Sequence, residues 1–485
     1  MNATSRGGGA HRAVGRRGMR RLALMAILVF LAVGCGASAQ AQETPPERPN
    51  VVFILADDLD KRLLTSHLSD YPNIRALAAD GTTFDNAFVT NALCCPSRAT
   101  MLTGQYSHNH GVMHNEAPDG GAPAFRPLGA EALPVWLDDA GYATGLVGKY
   151  LNRYDGTYEP PGWDEWKGRV VGLPYQGKDQ VEGFGMDGKN ADGETHTQVF
   201  ADESDSFVRR RAGATPFFLF VSPYAPHDPG VHAGRYDALF SDARLPRPPS
   251  FNERDVSDKP AWVRNDPRLT TGQISEAQSL YRNRLRSMMD VDRMVGRLVA
   301  ALRDTGELDN TYVVFTSDNG YHAGQHRLLM PPKRLAYEED IRVPLIVRGP
   351  GVTAGARRDE IVLNNDLAPT FAGWTEASPL LLQDGRSLAP LLGPTPPARW
   401  RTAFLAEGAR QESIGRPAYR AVRTQNYLYV RYGNGEKELY NLERDPYELR
   451  SYDEGADPAL KERLGRQLSS LASCAGAGCR SAEGP

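Results

Sequence analysis

The stretch "NVVFILADD", residues 50–58, holds six apolar residues in a row and closes on two aspartates. An amphipathic helix or a half-solvated strand would interrupt such a run at its own period. A strand buried on both faces does not. The run reads as a central strand of a parallel sheet, with Asp57 and Asp58 in the loop at its carboxyl end. The same pattern recurs outward from it. "PFFLFVSPYAPH" (216–227) and "TYVVFTSDNG" (311–320) are further buried-strand runs that close on polar residues, and "VPLIVRGPG" (343–351) is another with a sharp turn after it. "YPNIRALAADG" (71–81) reads as a short helix with a glycine stop. "LPVWLDDAGYATGLVGKY" (133–150) reads as helix, glycine turn and strand, and 274–306 carries apolar residues at helical spacing. Strands alternating with helices predict an α/β fold with a large, mostly parallel central sheet flanked by helices. Past residue 400, "RTAFLAEG", "YRAVRTQNYLYVRYG" and "KELYNLERDPYELRS" alternate polar and apolar residues between tight turns. They predict a small antiparallel sheet, followed by a helix across 457–472. The expected division is a large domain over 48–395 and a C-terminal one over 400–485, joined by "LGPTPPARW" (392–400).

The 485 residues carry 24% charged side chains and a net charge of −3, which gives no electrostatic basis for a nucleic-acid partner. Residues 1–42 read as a signal peptide. Arg12, Arg16, Arg17, Arg20 and Arg21 precede "LALMAILVFLAVG" (22–34), an apolar run too short to span a bilayer comfortably. "AVGC", ending at Cys35, resembles a bacterial lipoprotein box and would anchor the chain through a lipid. "ASA" (37–39) or "AQA" (39–41) would instead suit ordinary signal peptidase. Either route predicts an exported protein (periplasmic, membrane-anchored or secreted) in an oxidising compartment. There Cys474 and Cys479, flanking "AGAG", become candidates for a tail disulfide; two free thiols in a frayed terminus are the alternative.

In open α/β sheets ligands bind outside the carboxyl ends of the strands. The predicted strands deliver Asp57 and Asp58, Lys149, His227, and Asp318 with Asn319 to that edge. One acidic pair after a strand is commonly a turn or a helix cap. Two such pairs at equivalent ends offer hard oxygen donors without a thiolate or imidazole cluster, which suits Ca²⁺ or Mg²⁺ rather than zinc. Arg98, Lys149, His227 and Lys333, if they converge beside that cluster, would grip an oxyanion, arginine bidentately and lysine as a point charge. In "NALCCPSRATMLTGQYSHNHG" (91–111) two cysteines stand side by side, a spacing that suits neither a disulfide between them nor a CxxC motif. Pro96 fits the first turn of a helix, so Cys94 would lie at a helix N-terminus, where the dipole favours anions.

Cys94-Cys95-Pro96-Ser97-Arg98, followed by "ATMLTG" (99–104), resembles the Cys-x-Pro-Ser-Arg…Thr-Gly signature of the type I sulfatases. The resemblance continues through "ADD" (56–58), "GKY" (148–150), 216–227, "SDNGYHAGQH" (317–326) and "ELYNLERDP" (438–446). "CCPSR", "GKYLN" and "APH" are most similar to the N-acetylglucosamine-6-sulfatases. The resemblance implies an alkaline-phosphatase-like sulfatase fold. It implies hydrolysis of sulfate monoesters on a carbohydrate such as N-acetylglucosamine 6-sulfate, or on a small aryl sulfate ester. It also implies that a formylglycine-generating, sulfatase-maturing enzyme oxidises Cys94 to Cα-formylglycine, Cys95 filling a variable place. The hydrated aldehyde is a geminal diol. One hydroxyl, its pKa lowered by a nearby cation, attacks sulfur, and the other then expels sulfate by re-forming the aldehyde.

By position, Asp57, Asp58, Asp318 and Asn319, with the oxidised Cys94, would bind Ca²⁺, with Mg²⁺ as the lesser candidate. Arg98 would hold the hydrate. Lys149, His227 and Lys333 would contact sulfate, and His227 or Lys333 would protonate the leaving oxygen. Many sulfatases carry histidine two residues after this lysine; Leu151 stands there, so Asn152 or another group would serve instead. His322 and His326 flank the acidic pair and would reach a sugar or support the ligands from behind. His108 and His110 read as turn residues or substrate contacts, and Asp366 as a helix N-cap. "YLYVRYG" (427–433) would pack the small sheet, and loops such as 158–195 and 228–272 would carry specificity. The rival readings are a phosphonate monoester or phosphodiester hydrolase of the same superfamily, and a non-catalytic glycan-binding protein whose Cys94 stays a thiol.

Overall fold

Eight strands build the central sheet: β1 (Asn50–Ala56), β2 (Thr82–Phe88), β3 (Ala143–Lys149), β4 (Glu165–Arg169), β5 (Phe217–Ser222), β6 (Thr311–Ser317), β7 (Leu345–Arg348) and β8 (Ala356–Leu363). The structure is a computed structural model that describes residues 48–169 and 193–485. The expected signal segment with Cys35, and the 170–192 part of the 158–195 loop, lie outside the described residues. The strand order is β4-β3-β5-β1-β6-β7-β2-β8. β1 lies at the centre, parallel to β5 and to β6, with Val51 opposite Phe218 on one side and Tyr312 on the other. Among the described residues only β7 runs against its neighbours, so the sheet is mostly parallel, as its apolar runs predict.

The "NVVFILA" strand is buried along its whole length, and its side chains divide between the two faces with period two. Val51, Phe53 and Leu55 enter one apolar cluster; Val52, Ile54 and Ala56 enter the other. β2 and β8 lack continuous apolar runs because they lie at the far edge, where β8 keeps its first five residues partly or fully exposed. Charged side chains there protect the open edge from pairing with another chain.

The principal helices are α1 (Pro72–Ala79), α2 (Cys94–Thr103), α3 (Leu133–Asp139), α4 (His196–Arg211), α5 (Thr271–Asp304), α6 (Glu338–Ile341) and α7 (Leu367–Thr375). α5 starts at a Thr270/Gln273 capping box and lays Leu285, Met288, Val291, Val295 and Leu298 into the cluster beneath β1. α7 covers the opposite face through Phe371, whose ring lies 5.2 Å from Phe53.

β9 (Ala403–Gly408), β10 (Tyr419–Thr424), β11 (Tyr427–Tyr432) and β12 (Lys437–Asn441) form the small antiparallel sheet, with α8 (Pro458–Leu471) after it and a tail helix α9 (Ala477–Ala482). Tyr429 and Tyr432 of "YLYVRYG" are buried. The small sheet shares its core with the large one, Phe404 of β9 lying 4.9 Å from Phe88 of β2. Cys474 and Cys479 are disulfide-bonded.

Asp366 corrects one expectation. It occupies the position before α7, but its carboxylate makes no cap bond to that helix. Both oxygens instead accept from the Arg401 guanidinium (2.5 and 2.7 Å), and both groups are fully buried. One local bond persists: Oδ2 also accepts from the Leu363 amide (2.8 Å), capping the short 364–366 turn that leads into α7.

Candidate active site

The carboxyl ends of β1 and β6 lie side by side, and the backbone locks them together. The Asp318 amide donates to the Ala56 carbonyl (3.1 Å), and the Asp58 amide donates to Oδ1 of Asp318 (3.1 Å). Asp58 takes a left-handed backbone, φ 66°, a conformation aspartate tolerates better than most residues. Asp57, Asp58, Asp318 and Asn319 are all buried.

Against these strand ends stands the first turn of α2. Its N-cap residue, Leu93, is extended and offers no side-chain cap; the Cys95 amide donates instead to Asn115 Oδ1 (2.9 Å). The Cys94 sulfur lies 3.6 Å from Asp57 Oδ1 and 3.9 Å from Asp58 Oδ1, and Lys333 Nζ reaches it at 2.9 Å. Asp57, Asp58, Cys94 and Asp318 thus bring donor atoms within 4.8 Å of one another.

Arg98 follows Cys94 by four residues and so shares its helix face. Its Nε donates to Asp318 Oδ2 (2.8 Å), and its Nη1 donates to the Lys149 carbonyl (3.0 Å) and Ser222 Oγ (2.7 Å). Nη2 is buried without a partner. Lys149 Nζ pairs with Asp57 (2.5 Å), and Lys333 pairs with Asp58. His227 stands at the rim, 39% exposed, with Nε2 3.6 Å from Asp58 Oδ2 and Nδ1 2.7 Å from the Asp228 carbonyl. A carbonyl only accepts, so Nδ1 carries a hydrogen and Nε2 is the nitrogen turned toward Asp58.

Three carboxylates therefore meet three fixed cations. Burial alone would push Asp57 up, but Lys149 and then His227 outweigh it and hold the carboxyl down at about 2. Asp58 is lowered in the same way, chiefly by Lys333 working against burial. Burial also depresses the lysines, yet Asp57 beside Lys149 and Asp58 beside Lys333 keep both above the ordinary lysine value. The Cys94 thiol goes the other way. Burial raises it to about 11 despite Lys149 and Lys333, so at neutral pH it is not a thiolate and is a poor nucleophile.

The donor set fits a hard divalent cation. Asn319 Nδ2 donates to Asp58 Oδ1 (2.7 Å) and to the Gly320 carbonyl (2.8 Å), while its Oδ1 is buried with no hydrogen-bond partner. A buried amide oxygen left over beside three carboxylates is an all-oxygen arrangement of the kind calcium takes.

The remaining candidates make other contacts. Among the described residues no hydrogen bond or ion pair joins Asn152, His322 or His326 to Asp57, Asp58 or Asp318. Asn152 has a buried, unpartnered Oδ1, and its backbone adjoins the Cys95 thiol. His322 Nδ1 meets Asp340 Oδ1 at 2.6 Å, and His326 Nδ1 meets Glu253 Oε2 at 2.7 Å. His108 bonds Glu407 and the Cys474 carbonyl, and His110 bonds Thr100, so both serve packing. Ser222 and Arg334 were not singled out from sequence. Ser222 is the polar residue closing the β5 run, which could have marked it. Arg334, with φ at 90° and its Nε buried and unpartnered, carries no local sequence signal.

Residues 49–377 match the family described as Sulfatase, and 324–473 match the one described as N-sulphoglucosamine sulphohydrolase, C-terminal. The chain is 34% identical to an arylsulfatase of Volvox carteri over 95% of its own length and 79% of that protein. It is 33% identical to the N-acetylglucosamine-6-sulfatase of Homo sapiens over 94% of its length and 90% of that protein. Among solved structures, a protein in complex with its substrate D-glucosamine-2-N,6-O-disulfate superposes with a TM-score of 0.73 at 26% identity, over 88% of this chain and 97% of that one. The phosphonate monoester hydrolase of Agrobacterium radiobacter superposes at 0.69 with 25% identity, over 88% and 96%.

Proposed function

This chain belongs to the sulfatase family and hydrolyses sulfate esters; from that premise we propose that it removes the 6-O-sulfate of an N-acetylglucosamine-type sugar, using a formylglycine made from Cys94 and a bound Ca²⁺. The observation that carries this reading is the Cys94 sulfur, seated at a helix start between Asp57, Asp58 and Lys333, yet held as an inert neutral thiol by burial. The sulfur sits where a nucleophile belongs, yet as a thiol raised by burial it would be a weak one, which fits its replacement by an oxygen nucleophile. The hydrated aldehyde would supply the nucleophilic oxygen, and the cation, held by Asp57, Asp58, Asp318 and Asn319, would supply the positive charge that makes that oxygen acidic.

The chain's own residues do the rest. Arg98, pinned by Asp318, the Lys149 carbonyl and Ser222, keeps Nη2 free to hold the oxidised side chain. Lys149 and Lys333, both kept charged by their aspartates, present fixed positive charge to sulfate oxygens without reorganising. His227 is placed to release a proton from Nε2 to the departing sugar oxygen, because it alone of these groups stands at the open rim. Its Nδ1 contact with the Asp228 carbonyl fixes the ring for that task.

Mass spectrometry of the Cys94 peptide from native-host protein tests the oxidation. The expected mass reflects loss of sulfur and two hydrogens and gain of one oxygen; an intact thiol in active enzyme overturns it. Relative kcat/KM on N-acetylglucosamine 6-sulfate, other sulfated monosaccharides, an aryl sulfate and an aryl phosphonate tests the substrate. A preference for the phosphonate would favour the neighbouring hydrolase class instead. We place the mature enzyme outside the cytoplasm, on the leader at 1–42 and the Cys474–Cys479 disulfide. N-terminal peptide analysis distinguishes a lipidated Cys35 from cleavage after residue 39 or 41. Among the described residues no helix is long and apolar enough to cross a membrane.

A further inference from the structure

We infer that His326, Glu339 and Glu448 form a second metal site, of transition-metal character, between the loop after β6, helix α6 and the loop after β12. The three residues bring one donor atom each to within 4.8 Å of one another. They include none of the residues placed in the active site.

Two of the donors are buried and unused. His326 is 1% exposed, its Nδ1 is taken by Glu253 Oε2 at 2.7 Å, and its Nε2 has no partner. Glu448 is fully buried; its Oε2 accepts from the Glu338 amide (3.2 Å), and its Oε1 has no partner. A carboxylate on one imidazole nitrogen, with the other aimed at the ligand position, is the usual way proteins orient a metal-binding histidine. Tyr337, stacked on the ring at 4.3 Å, fixes its plane.

Arg62 acts on Glu339 without forming an ion pair, and the other cations nearby are engaged elsewhere. Glu338 takes Arg423 (2.6 Å) and Arg342 (3.2 Å). Lys259 lies 3.9 Å from Glu253 and gives its hydrogen bonds to Asp258 (3.3 Å) and to the Glu448 and Leu449 carbonyls. Among the described residues neither Glu339 nor Glu448 has an ion-pair partner. Two carboxylates in that setting repel each other, and a divalent cation between them and a neutral imidazole removes the repulsion.

One nitrogen and two carboxylate donors suit zinc or a neighbouring first-row ion better than calcium, so this site differs in kind from the all-oxygen cluster at Asp57, Asp58 and Asp318. Zinc bonds of about 2.0–2.2 Å require donors closer than 4.8 Å, so binding would draw the three side chains together. A metal here would brace the small sheet against the segment carrying the acidic pair, because the carbonyls of Glu339 and Asp340 in α6 accept from the amides of Tyr321 and Gly320 (both 2.8 Å).

The test uses the full-length, tag-free protein, exposed to ZnCl₂, desalted and analysed for metal. Wild type and the double variant Asp57→Asn/Asp318→Asn are expected to retain about one zinc equivalent, while His326→Ala and Glu448→Gln bind roughly tenfold or more weakly. X-ray absorption of the wild-type zinc form is expected to show an imidazole and oxygen shell without sulfur, a result independent of whether any variant folds. Retention below about a tenth of an equivalent, as a proton shared by the two glutamates would give, overturns the site. Sulfur in the shell, or unchanged zinc in His326→Ala, overturns it as well.

Discussion

Cys94 and Cys95 share a helix start and differ in what their side chains face. Cys94 faces the aspartate and lysine cluster; Cys95 faces the apolar core and is raised to about 12, with burial as the main cause. Cys94→Ala is expected to abolish sulfatase turnover, whereas Cys95→Ala should keep kcat within about threefold and cost about 1 kcal/mol of stability. Steady-state kinetics with urea denaturation separates the two effects. His110 gives a residue-scale pH dependence. Burial, with His108 adding to it, lowers its pKa from 6.5 to about 3. Between those values the unfolded chain binds a proton that the folded chain does not, so the stability His110 contributes is present above 6.5 and is lost as pH falls. The advantage of wild type over His110→Gln should therefore shrink by about 1.4 kcal/mol per pH unit below 6.5, read from denaturation curves at several pH values. Cys94 was legible in sequence because its signature is local. Its neutrality was not, since burial is set by residues far along the chain.

At the scale of elements, the strands announced themselves wherever both faces are buried. β1, β5 and β6 read as unbroken apolar runs, while β2, "TTFDNAF", does not and went unmarked. The tail helix α9 shows the reverse case, an element whose anchorage no local pattern displays. Its C-cap residue Glu483 lies buried against Arg401 (2.8 Å), which also grips Asp366 ahead of α7. Replacing the shared cation leaves buried Asp366 without an ion pair and Glu483 with Arg386 alone (3.1 Å). Arg401→Met is expected to destabilise the fold by about 3–5 kcal/mol. Reducing the Cys474–Cys479 disulfide, which closes a loop of sequence separation 5, should cost about 2 kcal/mol. Chemical denaturation ranks the two. A larger loss on reduction would show that the disulfide, not the arginine, holds the tail.

Over the whole molecule, the acidic cluster joins residues 260 apart that meet only because β1 and β6 are sheet neighbours. A cation bound by both strand ends binds the folded chain alone, so it stabilises by mass action. Ca²⁺ at a hundredfold excess over its Kd should add about 2.7 kcal/mol and raise Tm, and chelation should remove both that gain and the activity. A chelated enzyme with unchanged Tm and turnover would sink the cation assignment. The sequence by itself determined the sheet's core strands, the helix that starts at Cys94, and the residue types at the strand ends. These follow from local period and local signature, which need no knowledge of partners. Only the tertiary structure decided which charges meet: that Arg98 locks Asp318, that Asp366 serves Arg401 rather than its helix, and that His326 turns to Glu253. Pairings of buried charge depend on which segments the core brings together and on how far water is excluded from them, and neither is written in any one stretch of the chain.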